Sequence, residues 1–332
     1  MQSGQLQVIP YRSENAGDWD GIVGAAHGGT VLHSRRFLDY HGDRFRDLSL
    51  MAGRQGEAAL SMVFPLAADL REPDLAVSHP GTSFGGIVGL ARDPAPHRAL
   101  LRAAAARLRA MGFARLLYRA APHGLLRQPD DGNLPDLVRL GRVVQMDLWS
   151  ILRLQGVEAQ RRYWLSEIRR AERKGLAACA VETPQDWELL HATISDRLAQ
   201  KYGRAPVHSV AELIDLHRRL GPQSRGLLIR DDDGEVAAGL WFIDYGCGTL
   251  HNQYNGATDA GLALGASSYG IALALEGALR DGFGQFSFGR STNADGWTEN
   301  RDLLRFKSGF GAGLAAQFHI EVPLDRLMES GM

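Results

Sequence analysis

Lysine is almost missing from this sequence. Of the 37 basic residues in its 332, all but Lys174, Lys201 and Lys307 are arginine. A coding bias towards arginine accounts for most of that imbalance, but it leaves lysine-based covalent chemistry few places to occur. Cysteine is scarce too. Cys179 and Cys247 are the only two, too few for a disulfide framework or a cysteine-rich zinc site. The first residues lack a basic start followed by an apolar run, so no signal peptide is expected. No stretch approaches the ~18 uninterrupted apolar residues of a membrane span. Nor does one charge dominate: 37 Lys+Arg against 38 Asp+Glu leave a net −1. That argues against a DNA-binding or other strongly basic chain. The expectation from these absences is a soluble, cytoplasmic protein without an integral membrane segment.

What is present is ordinary globular material, 45% hydrophobic and 23% charged. A single core rarely grows beyond ~250–300 residues, so two domains are expected. The halves on either side of residue 150 share a local pattern. Residues 99–119, ALLRAAAARLRAMGFARLLYR, read as an Ala-rich helix stopped at Gly112 and followed by a strand. Residues 269–290, YGIALALEGALRDGFGQFSFGR, read the same way with Gly282 as the stop. This predicts an internal duplication of one α/β unit.

Local signals fill in the rest. Ser34 opens a helix through Phe37–Tyr40. Leu48–Gly53 and Ala58–Pro65 read as strands joined by a turn at Arg54–Glu57. Residues 143–154 form a strand leading into the second half. Helices are expected over Val157–Lys174, Thr183–Tyr202 and Ser209–Leu220, the last with a capping-box spacing of Ser209 and Glu212. Strands follow at 226–231, 235–245 and 248–255, with a hairpin turn at Asp232–Gly234. Helices preceding a strand meander give an α/β fold with a mixed sheet.

Several segments carry candidate chemistry. Residues 161–175, RRYWLSEIRRAERKG, make a basic helix that serves as a phosphate-attracting rim or as a solvated face. Residues 255–270, NGATDAGLALGASSYG, are small and lead into a long helix. Backbone amides at Leu264, Gly265, Ala266 and Ser267 would suit a pyrophosphate, although no Walker or Rossmann spacing is present. Arg290 ends a strand, where its fork can hold a carboxylate or phosphate. Lys307 lies in FKSGFG, either as a phosphate-binding point charge or as an exposed turn lysine. On LHNQYN, alternation puts His251, Gln253 and Asn255 on one face and Asn252 and Tyr254 on the other. Polar residues on a central strand are costly unless paired or used.

These residues resemble the FemAB-type branch of the GNAT acetyltransferase superfamily. The resemblance rests on Arg169–Gly175, the helix 269–281, Gly282–Phe283 with Phe286–Gly289, and Phe306–Gly311, which is similar to the branch's FKxxFG pattern. VLHSRRFLDYH, FPLA and HPGTSFGG in the first half also look like its first domain. It implies two tandem GNAT-like domains, 1–150 and 151–332, each a mixed central sheet flanked by helices, with the donor and transfer site in the second. It implies direct transfer of an acyl group, from acyl-CoA, to an amine of a cell-envelope or polysaccharide precursor or a small metabolite, with no metal. Two departures bear on the donor. The GNAT pyrophosphate signature is not clean, and the coiled-coil arm of some tRNA-using members is missing. With the neutral charge, this disfavours tRNA as donor. Within that reading His251 or a strand-bound water is the candidate base, and Tyr254 or Tyr269 reprotonates the leaving group. Lys307 lies in the transfer site or contacts a phosphate, with Arg290 near it and Arg290, Asn255 and Tyr269 against substrate. An aminoacyl-tRNA-dependent peptidoglycan transferase and a non-catalytic GNAT-like binding module are the alternatives.

Overall fold

The computed structural model describes residues 6–54, 59–90, 93–126 and 132–329. In the first part of the chain the elements are β1 (Leu6–Pro10), α1 (Ala16–Ala25), α2 (Arg35–Leu38), β2 (Leu50–Arg54), β3 (Met62–Phe64), β4 (Ala67–Ala68), β5 (Leu75–Val77), β6 (Val88–Gly89), α3 (Pro94–Ala110), β7 (Arg115–Arg119), α4 (Leu134–Leu140) and β8 (Arg142–Arg153). There follow α5 (Glu158–Glu172), β9 (Ala177–Ala180), α6 (Pro184–Tyr202), α7 (Val210–Leu220), β10 (Ser224–Arg230), β11 (Val236–Asp244), β12 (Thr249–Ala257), α8 (Asp259–Leu264), α9 (Ala266–Arg280), β13 (Gln285–Arg290), α10 (Arg301–Gly309), β14 (Gly313–Pro323) and α11 (Leu324–Glu329). Most of the turn expected at Arg54–Glu57 lies outside the described residues. No helix is long and apolar enough to cross a membrane, among the described residues.

The chain sorts into two compact units. One holds the residues up to Leu148 with Thr292–Glu299 and the residues from Ala315 on; the other holds Trp149–Ser291 and Asn300–Leu314. In the first unit β1, β2, β3 and β6 form an antiparallel set. A second row runs β4–β5–β7–β14. Its core is the apolar face of α3, with Leu100, Leu101, Ala104 and Leu108, packed among Phe64, Leu116 and Val322. In the second unit the strand order is β8–β13–β12–β11–β10–β9, antiparallel except for β12 with β13. Its core joins Trp164 of α5, Leu275 of α9, Leu240, Phe286 and Phe310. The second unit is thus a mixed sheet with helices packed against it, while the first carries a mixed row of strands and a separate four-stranded antiparallel sheet.

The tail departs from the division expected at residue 150. Residues His319–Pro323 of β14 pair with Arg115–Arg119 of β7, and Ile320, Val322, Leu324 and Leu327 are buried in the first unit's core. An alternating apolar strand reads equally well against either sheet, so its partner is not written in its own pattern.

Local chemistry sets the element ends. Ser34, Thr183 and Ser209 each accept a backbone N–H as N-cap, and the Ser209–Glu212 capping box forms as its spacing predicts. The two helix–Gly–Phe–strand segments close alike. Gly112 has φ +94° and Gly282 φ +79°. Phe113 N–H donates to Leu108 over 3.1 Å, and Phe283 N–H to Ala278 over 2.9 Å. A positive φ is cheap only for glycine, which is why each helix stops there. The strand that follows lies parallel to an earlier strand and antiparallel to a third in both units.

Candidate active site

The candidate site is built where two parallel strands part. β12 and β13 pair over Thr249–His251 and Gln285–Ser287 only, yet β12 continues to Ala257 and β13 to Arg290. Two irregularities cause the divergence. On β13 the register with β8 shifts between Ser287 and Gly289, where Gly289 takes φ +71° and its N–H folds back onto Ser287 Oγ over 3.2 Å. On β12 the register with β11 skips Gln253, so a bulge breaks the alternation expected along LHNQYN. Asn252 holds that bulge, donating from Nδ2 to the carbonyls of Tyr254 at 2.8 Å and Trp241 at 3.3 Å. Beyond His251 the β13-facing edge of β12 has no strand partner among the described residues.

The first unit has the corresponding parallel pair, β5 with β7, but there the gap is filled. Ser78 N–H donates to Leu117 O over 3.0 Å and Gly85 N–H to Arg119 O over 2.9 Å, while Arg119 N–H donates to Ser78 Oγ over 2.8 Å. The glycine-rich 78–89 loop therefore occupies the edge of β7.

Lys307 locks the parting strand. FKSGFG is the last turn of α10, a helix whose N-cap Asn300 accepts from Leu303 N–H over 3.1 Å. Lys307 is 6% exposed. Its Nζ donates to Gly289 O at 3.1 Å, Arg290 O at 2.7 Å and Ser291 Oγ at 2.9 Å, and Ser291 Oγ meets Ser150 Oγ at 2.8 Å. All three ammonium donors are used, and no carboxylate faces the ammonium among the described residues. Burial, then the nearby Arg290 charge, push its pKa down to about 7. The exposed turn lysine is thereby corrected, since the fourth-carbon stem runs inward from the helix.

His251 lies beside this lock. Its ring stacks on Tyr245 with centroids 4.8 Å apart, and Nδ1 sits 3.1 Å from Ser287 Oγ. Ser287 Oγ also accepts from Gly289 N–H, so this hydroxyl ties the histidine ring to the turn at Gly289. Burial, then the Lys307 charge, lower the His251 pKa to about 3. A buried imidazole of that acidity is neutral at pH 7 and a weak proton acceptor, which fits the base role poorly.

The other expected residues are dispersed around this centre. Tyr254 Oη accepts from Val207 N–H at 3.2 Å and pairs with His208 Nδ1 at 2.9 Å, tying the α6–α7 loop to β12. Burial raises its pKa, so it stays a neutral phenol. Asn255, opposite Leu240 of β11, has a buried Oδ1 without a partner among the described residues. Tyr269 is 4% exposed in the second unit's core, and its position among core side chains fits packing rather than proton transfer. Gly265, at φ +89°, caps both α8 and α9. Leu264 O accepts from Lys174 Nζ over 3.2 Å, Ala266 is fully buried, and Ser267 is half-buried at the start of α9. The Arg290 side chain is exposed. Of the basic helix, Arg161 is paired with Glu276 and Arg170 with Glu167, while Arg162, Arg169 and Arg173 are exposed. Sequence reasoning missed Ser150, Ser287, Ser291 and His208, small polar residues whose only signal is that they flank the strand ends.

Comparison with known proteins bears on this geometry. The family model described as an acetyltransferase (GNAT) domain matches residues 159–307. No curated protein matches the sequence. Among solved structures, FemX superposes with TM-score 0.69 at 11% identity, covering 94% of this chain and 96% of its own. L-PGS from Bacillus licheniformis gives 0.61 at 11% identity, covering 100% and 96%. A tandem GNAT protein from the clavulanic acid biosynthesis pathway, solved without AcCoA, gives 0.55 at 13%, covering 96% and 99%. At these identities the structural likeness speaks for the fold.

Proposed function

We propose that residues 159–307, which match the acetyltransferase (GNAT) domain model, are the transferase part of an enzyme that moves an acyl group from acyl-CoA onto an amine of a small metabolite or of a cell-envelope or polysaccharide precursor. The observation that carries this reading is the unpaired edge of β12 past His251. An open strand edge offers N–H and C=O groups to an extended amide-bearing chain, which is the chemistry of a pantetheine arm. The same N–H groups, fixed and partly desolvated, are suited to polarising a thioester carbonyl and stabilising its oxyanion. The Gly265 N–H is taken by Gly261 O over 3.0 Å, so the amides of Ala266 and Ser267 in the first turn of α9, with the cations of α5, would take the phosphates. GNAT domains generally use acyl-CoA, and the filled edge of β7 supports a single donor site, in the second unit.

The reaction needs the amine neutral and close to the carbonyl. His251 is too acidic a conjugate acid to take the proton well, and Tyr254 and Lys307 are engaged in fixed hydrogen bonds. We therefore assign these three to shaping the site, and the amine proton to solvent. Arg290, exposed at the end of β13, is our candidate for an anionic group on either substrate. The repeated helix–Gly–Phe–strand closure supports an internal duplication.

The FemAB-type resemblance of FKSGFG leaves one second reading, an aminoacyl-tRNA donor, and the fold shared with FemX is compatible with it. A thermal-shift comparison separates the two. Acetyl-CoA raises the unfolding midpoint of the second unit under the first reading. Stabilisation by aminoacyl-tRNA but not by acetyl-CoA supports the second, and stabilisation by neither supports a binding module.

A further inference from the structure

The first unit contains a recess of about 300 Å³ lined by the end of β1, the lead into β2 and the last turn of α3. Its walls include Tyr11, Arg12, Asp47, Leu48, Arg107 and Met111. The size is at the lower end of the ~300–1,000 Å³ typical of small-molecule sites.

The charges on this lining do not cancel. Asp47 is its one acid, and it is already spent internally. Arg35 Nη1 donates to Asp47 Oδ2 over 2.6 Å, and Ser49 N–H donates to Oδ1 over 2.8 Å. Arg12 and Arg107 are both exposed, and neither guanidinium has a partner among the described residues. Two cations thus face the same recess beside a carboxylate neutralised from behind.

The floor carries a second sign. Tyr11 lines the recess, and its phenol oxygen is shut off from solvent without a partner. Behind it the Arg35 guanidinium, 3% exposed, lies 3.4 Å from the Tyr11 ring centroid and 4.1 Å from that of Trp19. Its Nε and Nη2 are also buried without partners. Buried polar atoms are nearly always paired, and each exception calls for an explanation. Arg35 itself lies outside the lining, stacked on those two rings, so the unpaired cations that reach the recess are Arg12 and Arg107.

We propose that this recess binds a small organic anion, its phosphate or carboxylate held between Arg12 and Arg107 and its apolar body against Leu48 and Met111. Planar guanidiniums grip both oxyanions in bidentate fashion. The site is independent of the acyl-transfer reading, since no residue of β12 or β13 takes part.

Calorimetric titration with phenyl phosphate in a buffer free of other polyvalent anions tests it. Both arginines are exposed, so Arg12→Ala/Arg107→Ala is expected to keep the unliganded thermal midpoint. The wild type should bind saturably, each single substitution should weaken binding about tenfold, equivalent to about 1.4 kcal/mol, and the double variant should show no saturable heat. No saturable binding to the wild type, or equal affinity in the double variant, overturns the proposal.

Discussion

Lys307 Nζ donates to the carbonyl oxygen of Arg290 over 2.7 Å, and this bond joins the last turn of α10 to the end of the strand that leaves β12. Two more bonds, to Gly289 and Ser291, complete the lock. The lysine that sequence reasoning placed in the transfer site therefore acts, in this account, by fixing the shape of that site. A planar guanidinium does not reproduce three divergent donors from one atom.

Replacing that ammonium should cost folding as well as rate. Lys307→Met leaves the acceptors at Gly289, Arg290 and Ser291 without their donor, at about 1–3 kcal/mol for each buried group left unsatisfied. The expected result is a lower urea midpoint together with a lost transfer rate, and Lys307→Arg should fall between Met and the wild type. A Met variant of wild-type stability that has lost transfer would return Lys307 to a directly catalytic role.

Tyr254→Phe keeps the ring against Trp241 and His208 and removes the acceptor for Val207 N–H. Faster hydrogen exchange at Val207 and His208 is expected, with stability lowered by about 1 kcal/mol. The acceptor KM should rise while kcat changes little. A loss of kcat of about a hundredfold or more, the scale of general acid catalysis, with loop exchange unchanged would instead mark Tyr254 as the proton donor.

His251 should make the second unit acid-sensitive. Its folded pKa of about 3 lies below the ordinary imidazole value of 6.5, so between those values the unfolded chain binds the extra proton. Stability from this group is fully present above about pH 6.5 and is lost as pH falls towards 3. His251→Gln should flatten the fall in urea midpoint between pH 7 and 5. An unchanged slope would mean that the histidine is charged, or solvated, in the folded protein.

Much of this framework is legible in the sequence because it is local. Ser209 with Glu212 announces its capping box, and Gly112 and Gly282 announce two helix ends. The Ala-rich helices leading into Gly-Phe strands point to the repeated unit. What is not legible depends on partners far away in the chain. The parting of β12 from β13 needs a bulge at Gln253, a left-handed Gly289 and a register shift against β8 together. The saturation of Lys307 depends on acceptors 16 to 18 residues earlier. The partner of the tail strand follows from sheet geometry, which its alternation does not encode.

Arg290→Ala tests the exposed end of β13 separately from the lock, whose bond there uses the backbone carbonyl. Stability should hold, while affinity for donor or acceptor falls by the roughly 1.5–3 kcal/mol of a charge-assisted contact. An equal loss of stability with affinity unchanged would make Arg290 a structural bridge.

The central claim is that an acyl-CoA donor lies along the open edge of β12, and hydrogen–deuterium exchange with and without acetyl-CoA tests it most directly. The account predicts that the donor slows exchange in peptides covering Asn252–Ala257 and Gly265–Ser268, leaving β5 and β7 of the first unit unchanged. Unaltered exchange in both second-unit segments at saturating acetyl-CoA, or protection confined to the first unit, would contradict it.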